Sequence, residues 1–163
     1  LDFVQKEGLV WGITYPDSSR HEVICHNDFA PYNFIFQAQV PYAVIDFDLI
    51  GPGPRLRDIA YAAYWLTPLI FNSSDKLHFT EADIKDKSRR LHLFCKTYGI
   101  QADKALLDMV HEVLCFMGDK KKVEEILGSD VASKLEHEGH LEHWQKEAQA
   151  FLENRGRLSA NLV

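Results

Sequence analysis

The chain has 163 residues, 46% hydrophobic and 26% charged, with a formal net charge of −6 at pH 7. That length suits a single domain, residues 1–163, with a real core, and the acidity argues against a nucleic-acid partner, which wants a basic face. No apolar run approaches the ~20 residues that span a bilayer and no signal peptide opens the chain. Cys25, Cys95 and Cys115 form no C-x-x-C pair, so they suit a reducing cytoplasm and are expected to pack as small apolar residues.

Residues 1–20 read as an extended lead-in. His21-Glu-Val-Ile-Cys25 has the pattern of a short strand. The segment His26-Asn-Asp-Phe-Ala-Pro-Tyr-Asn33 contains Pro31, which stops strand or helix continuation. Phe34-Ile-Phe36 and Tyr42-Ala-Val-Ile45 predict two further strands, joined as a hairpin across Gln37–Pro41. Gly51-Pro-Gly-Pro54 predicts turns. It lacks a following Lys-Ser/Thr and is no phosphate cradle.

Helical patterning starts at about Arg57 and stops near Thr67-Pro68. A second helix is predicted from Thr80, with Asp83 three residues on, to about Tyr98, where Gly99 supplies the stop. A third runs from about Ala102 to Met117 and a short one from Lys120 to Leu127. A last helix is expected from roughly Asp130 to Asn154, with Gly139 as its weak point. The predicted class is therefore mainly α with a small β-hairpin region (α+β): a loop and hairpin over 21–48, then a helical bundle over 57–157.

The chemistry lies in the loop and hairpin. Residues 26–33 read H-x-D-x-x-x-x-N, and Asp46 follows thirteen residues after Asn33, at the end of an apolar run. Phosphoryl transfer needs a base for the attacking hydroxyl and oxygen ligands for a metal ion on the phosphates. Asp28 fits the base. Asn33 and Asp46 fit a hard-cation site, since Mg²⁺ takes oxygen ligands and keeps several waters. His26 joins this cofactor-binding set as the residue whose imidazole holds the loop. In an antiparallel hairpin, Asn33 and Asp46 occupy neighbouring outer ends, which allows them to share one ion.

This arrangement resembles the aminoglycoside phosphotransferase and choline kinase group, whose fold is protein-kinase-like. The resemblance rests on four motifs in order over residues 23–63: His26-Asn27-Asp28 to Asn33, Ile45-Asp46-Phe47, Gly51-Pro52-Gly53-Pro54, and Asp58-Ile59-Ala60. The wording Cys-His-Asn-Asp-Phe-Ala-Pro-Tyr-Asn is similar to a branch often labelled trifolitoxin immunity protein or phosphotransferase. The resemblance implies the C-terminal lobe of the kinase-like fold. It implies Asp28 as catalytic base, Asn33 and Asp46 as Mg²⁺ ligands, and ATP or GTP as phosphoryl donor. It also implies a small-molecule hydroxyl acceptor, which the acidity would allow to be cationic. Asp58 would tie the helix start back to the catalytic loop.

Two departures stand out. The family's usual glycine between His and Asp is Asn27 here, a residue that tolerates positive φ. Only 25 residues precede His26, and Lys6 is their single lysine. The N-terminal lobe, which carries the phosphate-covering loop and a strand-borne lysine, is thus expected to be absent. Little or no activity is expected of the chain alone, unless another chain in an oligomer completes the cleft. The contrasting expectation is a degenerate kinase-fold module that binds a partner without catalysis.

Other groups read more simply. His137, His140 and His143, three residues apart, and Glu136, Glu138, Glu142 and Glu147 are expected on a solvated helix face rather than in a metal site or a substrate groove. Arg55 and Arg57 are expected in surface or helix-start ion pairs, and Asp48 reads equally as a contact for metal or a cationic substrate amine and as an exposed loop acid. Tyr61, Tyr64 and Trp65 follow helical spacing and are expected in the core.

Overall fold

The computed structural model describes residues 8–72 and 78–162. Lys6 lies outside them. The architecture is mainly helical with two small antiparallel sheets. The chain divides into two compact units, residues 1–66 and 67–163.

Among its described residues the first unit holds four strands and one α-helix. Strand β1 (Val23–Cys25) pairs antiparallel with β4 (Gly51–Gly53), in the register Val23 to Gly53 and Cys25 to Gly51. Strands β2 (Phe34–Gln37) and β3 (Val40–Val44) form a separate hairpin. Its turn is the two residues Ala38 and Gln39, both at positive φ (48° and 68°), as a hairpin turn matching the strand twist requires. A register shift lies between Ile35 and Phe36.

Residues 51–53 were expected to turn and instead form a strand. The glycines explain it. The Tyr15 amide donates to the Pro52 carbonyl (3.0 Å) and the Gly12 amide to the Ile50 carbonyl (2.9 Å), so the lead-in lies directly on β4. A Cβ on Gly51 would stand 1.7 Å from the Ile13 carbonyl oxygen. Pro52 is tolerated because the strand is only three residues long and its carbonyl still accepts.

Helix α1 (Arg55–Leu66) follows at once. Ile59, Ala60, Ala63 and Tyr64 are buried along it. It ends before Pro68, which has no amide to continue the ladder.

The second unit contains α2 (Glu81–Tyr98), α3 (Lys104–Met117), α4 (Lys120–Leu127), α5 (Ser129–His137) and α6 (His140–Ala160). Thr80 and Asp83 form the expected reciprocal capping box, and Gly99 takes the left-handed φ of 92° that closes α2. Helix α6 packs against α2, α3 and α5. Leu91, Leu106, Leu107, Leu114, Phe151 and Leu158 fill this core, each worth about 1.5–3 kcal/mol relative to exposure.

The single last helix expected over 130–154 is two helices. Gly139 takes φ 78° between them, a left-handed conformation that ends a helix readily at glycine. His137 therefore sits on α5 and His140 and His143 on α6, all exposed. Among the described residues no group of three His, Cys, Asp or Glu is gathered to hold a metal ion.

Glu147 corrects the solvated-face expectation more sharply. It is fully buried, and its carboxylate accepts the Phe71 amide (2.8 Å) and the Asn72 amide (2.6 Å). A buried carboxylate survives where backbone N–H groups replace its water. Cys25 and Cys95 are buried as expected, whereas Cys115 is exposed, with its sulfur 3.5 Å from His111 Nε2. Among the described residues, no helix is long and apolar enough to cross a membrane.

Candidate active site

The site is built from the segment between β1 and β2, the outer end of the β2–β3 hairpin, and the start of α1. Its first brace is Asp58, on the first turn of α1. One carboxylate oxygen accepts the His26 amide (2.7 Å) and the other accepts the Asn27 amide (2.8 Å). Residues 26–27 are thus fixed to a helix thirty residues away.

The second brace is His26, which is buried. Nδ1 lies 3.3 Å from the Asp28 amide and Nε2 lies 3.0 Å from the Ile45 carbonyl. An amide can only donate and a carbonyl can only accept, so the neutral ring with its proton on Nε2 satisfies both. The ring packs on Phe47 (4.7 Å between centroids) and edge-on to Phe29. Both nitrogens are committed inside the protein, so His26 holds the loop and the hairpin end together rather than reaching for a ligand.

Asn27 is the third brace. Its φ of 66° is the left-handed value its position demands. Its Nδ2 donates to the Leu49 carbonyl (2.8 Å), and its Oδ1 accepts from Arg57 Nε (2.7 Å). Arg57, at the start of α1, is buried rather than on the surface. The reason is that Asn27 offers its planar guanidinium a carbonyl oxygen inside the unit.

The three candidate functional side chains stand on this frame. Pro31–Asn33 forms one turn of 3-10 helix, with Pro31 at its first position. That turn brings Asn33 back onto Asp28. Asn33 Nδ2 donates to the Asp28 carbonyl (2.9 Å) and to Asp28 Oδ2 (2.8 Å). Its amide oxygen is left as the group a metal ion would take. At the strand end the Ile45 amide donates to the Asn33 carbonyl (3.0 Å). Asp46 is therefore next to the residue bonded to Asn33, and it is exposed with φ 67°. Asp48 is exposed too.

Two tyrosines complete the surroundings of Asp28. Tyr32 donates its hydroxyl to Asp28 Oδ1 (2.6 Å) and lies 3.0 Å from the Tyr61 hydroxyl. Burial, then the bond to Asp28, pushes the Tyr32 phenol well above its usual value. Burial raises Tyr61 as well. Both phenols therefore remain protonated at neutral pH. Tyr61 and Tyr64 are core residues as their spacing predicts, but Tyr61 also reaches the site through its hydroxyl. Spacing along a helix reports which face is buried and not where the end of a long side chain goes. Behind the loop, burial and the Asp58 carboxylate push the Cys25 thiol up to about 12, so it is no nucleophile at neutral pH.

With the geometry in place, comparison with known proteins gives one match. Residues 10–82 match the model of the phosphotransferase enzyme family, APH. The matched segment is just under half the chain and contains every residue described in this section. It is consistent with the aminoglycoside phosphotransferase-like resemblance of the motifs and points to phosphotransferase-type chemistry. Neither the curated proteins nor the solved structures give a match.

Proposed function

We propose that this protein is a small-molecule phosphotransferase, moving the γ-phosphoryl group of ATP or GTP to a substrate hydroxyl with Mg²⁺. The observation that carries the reading is the closed set of bonds at the hairpin end: Asn33 to Asp28 through its side chain, and Asn33 to Ile45, beside Asp46, through its backbone.

Asp28 takes the proton. As the acceptor O–H bond breaks, the proton passes to the Asp28 carboxylate, an O–P bond forms, and the bond to the leaving nucleoside diphosphate breaks. Asn33 keeps the carboxylate from rotating. Asn33 Oδ1 and Asp46 would hold Mg²⁺, and two hard oxygen donors of this kind suit it, since phosphate oxygens and water complete its shell. Bound there, the ion supplies neutralisation of charge on the phosphate oxygens. The acceptor is a small hydroxyl compound, and the acidic chain suits a cationic one; a cytoplasmic location suits the free cysteines.

The test has two readouts. Mn²⁺ with ADP should broaden the amide resonances of Asn33 and Asp46 first, and Asp46→Asn should remove the effect. Transfer of phosphate from Mg-ATP to a hydroxyl acceptor at high concentration should fall by about 10²–10⁴-fold in Asp28→Asn, the usual contribution of a positioned base. Broadening centred elsewhere, or turnover indifferent to Asp28→Asn, would sink the assignment.

A further inference from the structure

The candidate base is occupied. Asp28 Oδ2 is held by the Asn33 amide, and Oδ1 by the Tyr32 hydroxyl at 2.6 Å. An acceptor hydroxyl must reach this carboxylate to give up its proton. The group it meets at Oδ1 is itself a hydroxyl, bonded at the short distance of an O–H donor on a carboxylate.

We propose that Tyr32 is the acceptor-side gate of the site: its phenol stands where the acceptor hydroxyl binds, and the acceptor enters by displacing it. The proposal rests on Asp28 being the base.

Three observations carry it. The first is the difference between the two tyrosines. Tyr61 is 2% exposed, fixed in α1, whereas Tyr32 is 57% exposed. Tyr32 can swing out about its side-chain bonds without opening the core. Tyr61 cannot. The second is the seat it leaves. Tyr61 lies 3.0 Å from the Tyr32 hydroxyl, so an incoming alcohol finds the same two partners. It accepts from Tyr61 and donates to Asp28 Oδ1, and the number of hydrogen bonds at the base is unchanged. Such an arrangement aims the acceptor O–H at the carboxylate and a lone pair away from it. The third is what holds the ring. Tyr32 meets Trp65 edge-on, with centroids 5.8 Å apart, and is more than half exposed. Acceptors are therefore alcohols slender enough to place one hydroxyl where the phenol stood.

The gate has a reason to exist. A bare carboxylate beside a nucleotide activates water, and a phenol in that place prevents hydrolysis until an acceptor arrives.

The experiment uses the full chain labelled with 3-fluorotyrosine, the Tyr32 and Tyr61 signals being assigned with Tyr32→Phe and Tyr61→Phe. Glycerol is the hydroxyl probe, titrated to molar concentration. The expected result is a saturable shift of the Tyr32 fluorine while Tyr61 stays near its place, with no saturation in Asp28→Asn. A Tyr32 signal that holds still throughout overturns the gate. Mg-ATP hydrolysis gives a second reading. Tyr32→Phe should raise it several-fold, because water then reaches Oδ1; a fall to the level of Asp28→Asn would instead make Tyr32 a brace. If the raised hydrolysis of Tyr32→Phe persists when Asp28→Asn is added to it, the base assignment alone falls, and the fluorine titration would still decide whether the phenol yields to a hydroxyl.

Discussion

Asn27 shows how much one side chain in this loop does. Its backbone needs positive φ, and its side chain joins Leu49 on one side and the buried Arg57 on the other. Two substitutions separate these roles. Asn27→Gly keeps the backbone relaxed and loses both hydrogen bonds, at a cost of about 2 kcal/mol. Asn27→Ala loses the same bonds and adds the left-handed penalty of a Cβ, about 1 kcal/mol more. Urea unfolding should therefore rank wild type above Gly and Gly above Ala. An Ala variant as stable as the Gly variant would show that the backbone is not strained there. The positive φ was legible, because Asn stood where glycine is usual. The partners were not: Leu49 and Arg57 lie 22 and 30 residues away, and no local pattern announces a contact of that range. Glu147 was hidden for the same reason, since its partners are 75 and 76 residues distant. That Asn33 comes back onto Asp28, and that Ile45 beside Asp46 bonds to Asn33, was legible because both follow from spacing within one loop and hairpin.

The β2–β3 hairpin is the element that sets the distance between Asn33 and Asp46. Its register is read from the turn outward: Gln37 faces Val40, and Phe34 faces Val44. A slip of one residue would turn every side chain to the other face and separate Asn33 from Asp46. Yet its turn is not optimal. Ala38 and Gln39 both hold positive φ with a Cβ present, where Asn-Gly is the favoured pair. Replacing them together by Asn-Gly should stabilise the protein by about 1–2 kcal/mol. Denaturation midpoints check the gain, and slower exchange of the Ile45 amide would show that it reaches the site end. No gain would mean that the strands, not the turn, dictate the register. Elements governed by local signals were legible, as with Thr80, Asp83 and Gly99 around α2. Gly51-Pro52-Gly53 misled because the same residues that favour turns also permit a strand against which another backbone closes tightly. Gly139 was a weak point in the pattern and became a full break because its left-handed φ costs little.

At the scale of the whole molecule, the functional signal and the bulk of the core separate. The motifs fall within the unit of residues 1–66, whereas the helices of residues 67–163 carry apolar periodicity and no motif. Both units, however, hold thiols or phenols in their neutral form, and this gives a testable alkaline limit. Burial raises Cys25 to about 12 and Cys95 to about 11, from a usual 9.0. Tyr32 and Tyr61 are raised from a usual 10.0. In the unfolded chain the thiols ionise near 9.0 and the phenols near 10.0, while the folded chain keeps those protons. The folded state thus binds more protons than the unfolded state above pH 9, and stability falls as pH rises. Each proton retained by the buried Cys25, Cys95 and Tyr61 contributes a slope of up to about 1.4 kcal/mol per pH unit, and the exposed Tyr32 less. For Cys95 the loss begins near pH 9 and is complete once pH passes about 11. Cys95→Ala should flatten the fall in that window while leaving the part due to Cys25 and the tyrosines. Urea midpoints at half-unit steps from pH 8 to pH 11 measure it. Parallel lines for wild type and Cys95→Ala would mean that the Cys95 thiol ionises in the folded chain as readily as in the unfolded one.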